Sequence, residues 1–265
     1  MSLRQHNLKH VKIKKILAEI RKELQYLFRR PLQKKTLFDH LPKCAGSSLN
    51  QYLQKQYLRR KTYSIDAQNM DGSIARFMAM SESKRHSYDL IKGHRAHELL
   101  DYAHPDCLKI TVFRDPVDRI VSHYYYVKQQ ERHPLHDFAI TADMTLAHYV
   151  KEGDSEELRN WYTSHFTGLN EGDIGCAPKK SQDEAFDIVT TKYDIIGFLD
   201  DFQSFVKELK IAAGYTDDYV DSRVNVTKVR PVLSKVAESD KDAVMQANAV
   251  DIHLYDQLKS LNKSI

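Results

Sequence analysis

One loop of small and polar residues could bind a phosphate-like anion. The segment His40–Leu49 (HLPKCAGSSL) leaves a predicted strand and enters a predicted helix. Amide groups at a helix N-terminus point toward a bound anion, while Lys43 adds a charge and Ser47 and Ser48 add hydroxyl donors. In the P-loop pattern GxxxxGK[ST] a Lys directly precedes the hydroxyl residue, whereas no Lys follows Gly46 here. A standard nucleoside triphosphatase is therefore disfavoured.

A second segment, Val112–Tyr126 (VFRDPVDRIVSHYYY), could contact the same kind of group. It leaves a predicted strand with Arg114 and places Ser122 two turns into the following predicted helix. A guanidinium can donate two parallel hydrogen bonds to one phosphate, and a hydroxyl can donate another. The two segments together predict a phosphate site more specifically than either does alone.

A candidate general base follows another predicted strand. The stretch Ile91–Arg95 (IKGHR) places His94 near the carboxyl ends of the strands, where open α/β sheets bind their ligands. Imidazole titrates near neutral pH, which suits a base. Glu98 and Asp101 are alternatives, because a one-turn error in the loop boundary would favour Glu98. His133 and His136 do not predict a metal site, because the intervening Pro breaks the helix that their spacing requires.

The elements that position these residues alternate along the chain. Short apolar runs predict strands at 35–41, 88–91, 108–113 and 193–198, and helical spacing of apolar residues follows most of them. Asp200 or Asp201 is the predicted N-cap of a late helix. This alternation predicts a P-loop-like three-layer α/β/α domain with a central parallel sheet.

Composition narrows the class of protein. The chain has 265 residues, 42% hydrophobic and 29% charged, which indicates an ordinary globular protein and disfavours disorder. No apolar run reaches about 18 residues, so no membrane-spanning helix is predicted. Three widely spaced cysteines predict neither a disulfide framework nor a Cys-type zinc site. Nucleic-acid binding is not expected, because no basic stripe interleaved with aromatics runs through the body.

The first 33 residues form a distinct region. Residues 1–35 contain eleven Lys and Arg against two Glu, and apolar residues recur there at helical spacing: Ile13, Ile16, Leu17, Ile20, Leu24, Leu27 and Phe28. We predict a basic amphipathic helical arm at 1–33, followed by one domain at 34–265. Such an arm could pack on the body or on a second subunit, or residues 8–30 could contact an anionic membrane surface.

The two anion-binding segments resemble the sulfotransferases that use 3′-phosphoadenosine 5′-phosphosulfate (PAPS), and within them the carbohydrate branch that includes heparan sulfate 2-O-sulfotransferase. Fainter likeness at 193–198 and 251–255 extends the resemblance over residues 36–258. It implies that the first loop binds the 5′-phosphosulfate and that Arg114 and Ser122 bind the 3′-phosphate. The implied loop set is Lys43, Cys44, Ala45, Gly46, Ser47 and Ser48.

The same resemblance implies further roles. A Gly-His pair supplies the base in that branch, which points to His94, whereas related carbohydrate sulfotransferases use a carboxylate, which keeps Glu98 open. A late nucleotide-contacting loop is similar to Asn225–Lys228, with Thr227 and Lys228 near the 3′-phosphate. Lys43 would also stabilise the leaving phosphate as a catalytic residue. No metal is expected.

The resemblance implies an enzyme that sulfates a hydroxyl of a carbohydrate or glycolipid acceptor. Without the membrane anchor and paired cysteines of the animal Golgi enzymes, we expect a cytoplasmic, bacterial protein. Two other hypotheses stay open at this point. One is a nucleotide-dependent phosphotransferase of the P-loop kinase type, and the other is a non-catalytic nucleotide-binding or scaffold protein that acts through its arm.

Overall fold

Five strands form the central sheet. The structure, a computed structural model, describes residues 33–220 and 230–262 and six positions of the arm: 17, 20, 21, 23, 24 and 28. The strands are β1 (Thr36–Asp39), β2 (Thr62–Ser64), β3 (Leu90–Gly93), β4 (Leu108–Phe113) and β5 (Ile195–Phe198). All pair in parallel in the order β2-β3-β1-β4-β5. The predicted α/β fold with a central parallel sheet is confirmed.

Helices cover both faces of this sheet. They are α1 (Gly46–Gln56), α2 (Met70–Met78), α3 (Glu82–His86), α4 (Pro116–Val127), α5 (His136–Ala139), α6 (Leu146–Glu152), α7 (Trp161–Thr167), α8 (Glu171–Cys176), α9 (Pro178–Lys192), α10 (Phe202–Ala213), α11 (Glu238–Ala247) and α12 (Ala249–Asn262). Short 3-10 segments lie between them at Arg59–Lys61, Ala96–Tyr102, Glu156–Leu158, Leu199–Asp201 and Leu233–Lys235.

Alternation along the strands divides the core into two layers. Leu37 of β1 packs with residues of α7, α9 and α12, whereas the next residue, Phe38, packs with residues of α1 and α10 on the other face. Successive side chains of a strand point to opposite faces, so neighbouring residues enter different clusters. A third cluster joins α4 and α6 beside the sheet, around Ile120 and Tyr149.

The start of α4 shows how local sequence fixes a functional segment. Asp115 is the N-cap, and its carboxylate accepts a hydrogen bond of 2.8 Å from the amide of Asp118. Pro116 occupies the first turn, where its missing N–H costs nothing. These two residues make the chain turn from β4 into a helix directly after Arg114.

The structure differs from the sequence expectations in two details. Strand β2 was not predicted, because it has three residues and follows the basic stretch Arg59–Lys61. Asp201 is the N-cap residue of α10, one of the two predicted, but it makes no side-chain capping bond. Asp200 instead accepts hydrogen bonds from Tyr255 and Lys259. None of the described helices combines the length and apolar character needed to cross a membrane.

Candidate active site

A large cleft opens where the strands end. Its volume is about 1410 Å³, and it is lined by the residues that follow four strands: His40 after β1, His94 after β3, Arg114 after β4 and the segment Leu199–Asp201 after β5. Carboxyl ends of parallel strands are the usual binding edge of such a sheet. The cleft brings together nearly all the described residues that the sequence singled out.

The loop between β1 and α1 has an unusual backbone. Lys43 and Ala45 adopt the left-handed conformation, with φ of 66° and 59°. A Cβ built on Gly46 would lie 1.7 Å from Nε2 of His40, so only glycine allows this close approach. The loop therefore turns sharply enough to place the N-terminus of α1 at the cleft, where Gly46, Ser47 and Ser48 line it.

The loop side chains divide into cleft-lining and buried ones. Lys43, Ala45, Gly46, Ser47 and Ser48 line the cleft. Cys44 is the exception, because its thiol is buried 3.2 Å from the hydroxyl of Tyr162 and burial raises its pKa. Any contact of Cys44 with a nucleotide would have to be made by its backbone.

Lys43 lies among other cations. Its Nζ is 3.6 Å from the centroid of the Tyr126 ring, which favours the charged form of the amine. Burial, and then the charges of Arg114 and Arg230, lower the pKa of Lys43 to about 8. The ammonium group still predominates at pH 7, so Lys43 offers a positive charge to an anion.

Arg114 joins the two predicted segments. Its Nη1 donates to the carbonyl of Lys43 at 2.9 Å, and its Nε donates to Oδ2 of Asp118 at 2.7 Å. Ser122 is buried on α4 and lines the same cleft. Thr227 and Lys228, the other predicted contacts of the 3′-phosphate, lie outside the described residues.

Arg230 was missed by the sequence analysis. It lines the cleft and pairs with Asp118, the carboxylate that also holds Arg114. Burial, followed by repulsion from Arg114, lowers the pKa of Arg230 to about 10. Its position two residues after the predicted late loop was the available signal. Three cations thus lie in this part of the cleft, and the carboxylate of Asp118 pairs with two of them.

His94 is held in a defined orientation. Its Nδ1 lies 2.7 Å from the carbonyl oxygen of His40, and a carbonyl can only accept, so Nδ1 carries a hydrogen. In the neutral ring this leaves the lone pair on Nε2. The ring also stacks on His40, with centroids 4.2 Å apart. His94 is therefore oriented as a proton acceptor through Nε2.

The two alternative bases have partners of their own. Oε1 of Glu98 accepts from Nε of Arg95 at 2.6 Å, although Glu98 does line the cleft. Asp101 is exposed, pairs with Lys192 at 2.7 Å and does not line the cleft.

Glu157, in the 3-10 segment Glu156–Leu158, also lines the cleft. Oε2 of Glu157 lies 3.3 Å from Nε2 of His123. Burial alone would raise the pKa of Glu157, but the hydrogen bond and charge of His123, with Arg119, lower it to about 2. No sequence pattern indicated that Glu157 would lie in the cleft, because its position there depends on contact with His123 of α4.

The comparison with known protein families covers most of the chain. The model that describes the sulfotransferase family matches residues 28–259, most of the chain. The chain belongs to the sulfotransferase family. No curated protein matches this sulfotransferase. Its activity class is sulfuryl transfer, for which the cleft offers cations for an anionic donor and an imidazole for proton removal.

Proposed function

We propose that this sulfotransferase moves a sulfuryl group from PAPS to a hydroxyl of a carbohydrate-type acceptor, with His94 as the general base. The observation that carries the proposal is the orientation of His94: its Nδ1–H donates to the carbonyl of His40, so Nε2 accepts the proton, in the same cleft as Lys43. The resemblance to PAPS-dependent enzymes supports PAPS as the sulfuryl donor.

The donor is proposed to bind along the cationic part of the cleft. PAPS carries phosphate groups at both ends of its ribose, and the cleft presents Lys43, Arg114 and Arg230 within one region. The loop residues Ala45–Ser48 would contact the 5′-phosphosulfate through helix N-terminal amides and hydroxyls. Ser122 would contact the 3′-phosphate with Arg114. Thr227 and Lys228 remain proposed contacts of that phosphate.

The chemical step then needs transfer of one proton and of one sulfuryl group. Nε2 of His94 takes the proton of the acceptor hydroxyl as the acceptor oxygen bonds to sulfur. The bond between sulfur and the phosphate oxygen breaks in line, and its electron pair leaves with that oxygen. Lys43 stabilises the developing charge on the leaving phosphate. The products are a sulfate ester and 3′-phosphoadenosine 5′-phosphate (PAP), and His94 returns its proton to solvent.

The acceptor is proposed to be a carbohydrate or a glycolipid. The cleft exceeds the roughly 300–1000 Å³ of ordinary small-molecule sites, which leaves room beside the nucleotide. Glu156, Glu157 and Trp161 line it, and carboxylates with an aromatic ring suit the hydroxyls and apolar faces of a sugar. The resemblance to the carbohydrate branch favours the same class.

The test is a calorimetric titration with PAP, run beside ADP and with ATP in the presence and absence of Mg²⁺. We expect micromolar, metal-independent binding that requires the 3′-phosphate. Transfer of labelled sulfate from PAPS to a panel of sugars and glycolipids would then identify the acceptor. Preference for ATP with Mg²⁺ would overturn the proposal in favour of a phosphotransferase. Binding of PAP without transfer to any acceptor would favour a nucleotide-binding scaffold.

We also propose that the arm contacts an anionic membrane surface. Its described apolar residues, Leu17, Ile20, Leu24 and Phe28, are helical and between 48% and 84% exposed. Glu23 of the arm pairs with Arg60 of the body. An apolar stripe within a segment rich in Lys and Arg matches the apolar interior and anionic surface of a bilayer.

Cosedimentation with vesicles tests this contact. The full chain should bind vesicles that contain phosphatidylserine and not vesicles of phosphatidylcholine alone. Ile20→Glu should release it, whereas Ile211→Glu, at a still more exposed apolar position on α10, should not. A stable dimer in solution that Ile20→Glu dissociates would instead assign the stripe to a second subunit.

A further inference from the structure

Asp39 ends β1 with a carboxylate that is completely buried below the cleft. Its Oδ2 accepts hydrogen bonds from Nε2 of His165 at 2.9 Å and from the hydroxyl of Tyr193 at 2.8 Å. Its Oδ1 has no hydrogen-bond partner among the described residues. A buried carboxylate oxygen without a hydrogen-bond partner costs free energy of folding. Oδ1 of Asp39 is therefore available to bind a ligand.

His97 presents a second atom of the same kind. It lies in the 3-10 segment Ala96–Tyr102, and its Nδ1 is buried without a hydrogen-bond partner in the described part of the chain. This Nδ1 is 4.0 Å from Oδ1 of Asp39. The distance is too long for a hydrogen bond, so the two unpaired atoms face each other across a gap.

His165 of α7 completes a set of three. Its ring centroid lies 4.0 Å from that of His97, and one ligand atom from each of Asp39, His97 and His165 lies within 4.8 Å of the other two. Two imidazoles and one carboxylate are a common ligand set for first-row divalent metals. Metal–ligand bonds are about 2.0–2.2 Å, so a small shift of the His97 ring toward Asp39 would bring both atoms onto one tetrahedral ion.

The chemistry of the set suits a cation. One carboxylate and two imidazoles offer an oxygen and two ring nitrogens at one buried place. Metal ligands bind in their deprotonated forms. The hydroxyl of Tyr193 would keep its hydrogen bond to Asp39 and orient the ligand.

We propose that Asp39, His97 and His165 bind one divalent transition-metal ion of the Zn²⁺ class. Binding replaces the N–H of His165 that now donates to Asp39 with a lone pair on Nε2, and the displaced proton moves to Nδ1 of the same ring. The ion ties the end of β1 to α7 and to the segment after β3 that carries His94. Its role is structural, and the proposal does not depend on the identity of the sulfuryl donor or acceptor.

The experiment uses the full chain, freed of any histidine tag and dialysed against a chelator. Titration with Co²⁺ should give visible absorption bands that saturate at one ion per chain, and Zn²⁺ should displace them. Zn²⁺ at about 100 times its dissociation constant should raise the melting temperature by about 5 °C. Affinity for PAP should change less than threefold, which separates this outcome from that of the proposed function.

Variants identify the ligands. His97→Ala and His165→Ala should each lose the Co²⁺ bands, whereas His253→Ala, an exposed histidine of α12, should keep them. If either alanine variant fails to fold, the wild-type titration still decides. Wild-type protein without Co²⁺ bands and without a Zn²⁺ shift in melting temperature would overturn the proposal. Bands that persist in both variants would do the same, because they would belong to other histidines.

Discussion

The cleft holds two groups of titratable side chains that respond differently to burial. The cation group, Lys43, Arg114 and Arg230, remains charged at pH 7, although burial lowers all three pKa values and repulsion from neighbouring cations adds to the effect. The imidazole group includes His40 and His97, whose pKa values fall to about 3 and about 4 for the same physical reason. One group therefore retains positive charge for an anion, and the other retains lone pairs for a proton or a metal ion.

His94 is a further member of the imidazole group, and replacing it tests this group most directly. His94→Ala should reduce sulfate transfer by about 10²- to 10⁴-fold, the usual contribution of a positioned general base. Affinity for PAP should stay within a few-fold, because the cation group is unchanged. Transfer of labelled sulfate from PAPS and calorimetry measure the two quantities. Unchanged turnover would remove His94 as the base and promote Glu98.

Replacing Arg114 tests the cation group. Arg114→Ala should weaken PAP binding by about 10- to 100-fold, since hydrogen bonds to charged groups contribute about 1.5–3 kcal/mol. Arg132→Ala removes the same charge from an exposed residue of the cleft lining and serves as the matched control. Equal losses of PAP affinity in both variants would mean that PAP binding depends only on the overall positive charge of the cleft.

Gly46 connects the two groups, because its missing side chain makes room for the His40 ring. Gly46→Ala should displace that ring and destabilise the fold by about 1–3 kcal/mol, as overpacking does. Gly175→Ala is the control, since its Cβ would meet nothing within 4 Å. Urea unfolding measures both. Equal stability of the two variants would show that His40 moves aside without cost.

The smallest expected effect on PAP affinity is that of pH. The pKa of Lys43 is about 8 in the folded chain and 10.5 for a free side chain, so the unfolded state binds more protons between these values. Stability should therefore rise from pH 8 to 10.5, while PAP affinity falls several-fold as the ammonium charge is lost. Calorimetry and thermal unfolding across this range, with Lys43→Met as the control, separate the two trends. If stability and PAP affinity instead changed in the same direction with pH, Lys43 would not be the group responsible.

Sequence patterns predicted the parts of the site that depend on neighbours in the chain. The loop around Lys43, the strand-to-helix turn at Arg114 and the position of His94 after β3 all follow from local spacing. The contact between Asp39 and His165 could not be predicted in this way, because it joins the end of β1 to a helix 126 residues away. Arg230 was missed although it lies two residues after the predicted late loop, because its pairing with Asp118 of α4 is not visible in the sequence.

Local patterns also failed where propensity and burial disagree. Strand β2 has a short polar sequence and forms because β3 offers a parallel edge. Asp200 is used by Tyr255 and Lys259 of α12 instead of capping α10. Tertiary contacts decided both outcomes.

Trp161 is the single tryptophan of the chain and lines the cleft. Its ring lies 4.6 Å from that of His165 and 5.2 Å from the guanidinium carbon of Arg119. Excitation at 295 nm therefore reports on one place in the molecule, next to the cleft and to the buried histidines. The unlabelled protein contains its own optical probe, with which occupation of the cleft can be followed in a stopped-flow instrument.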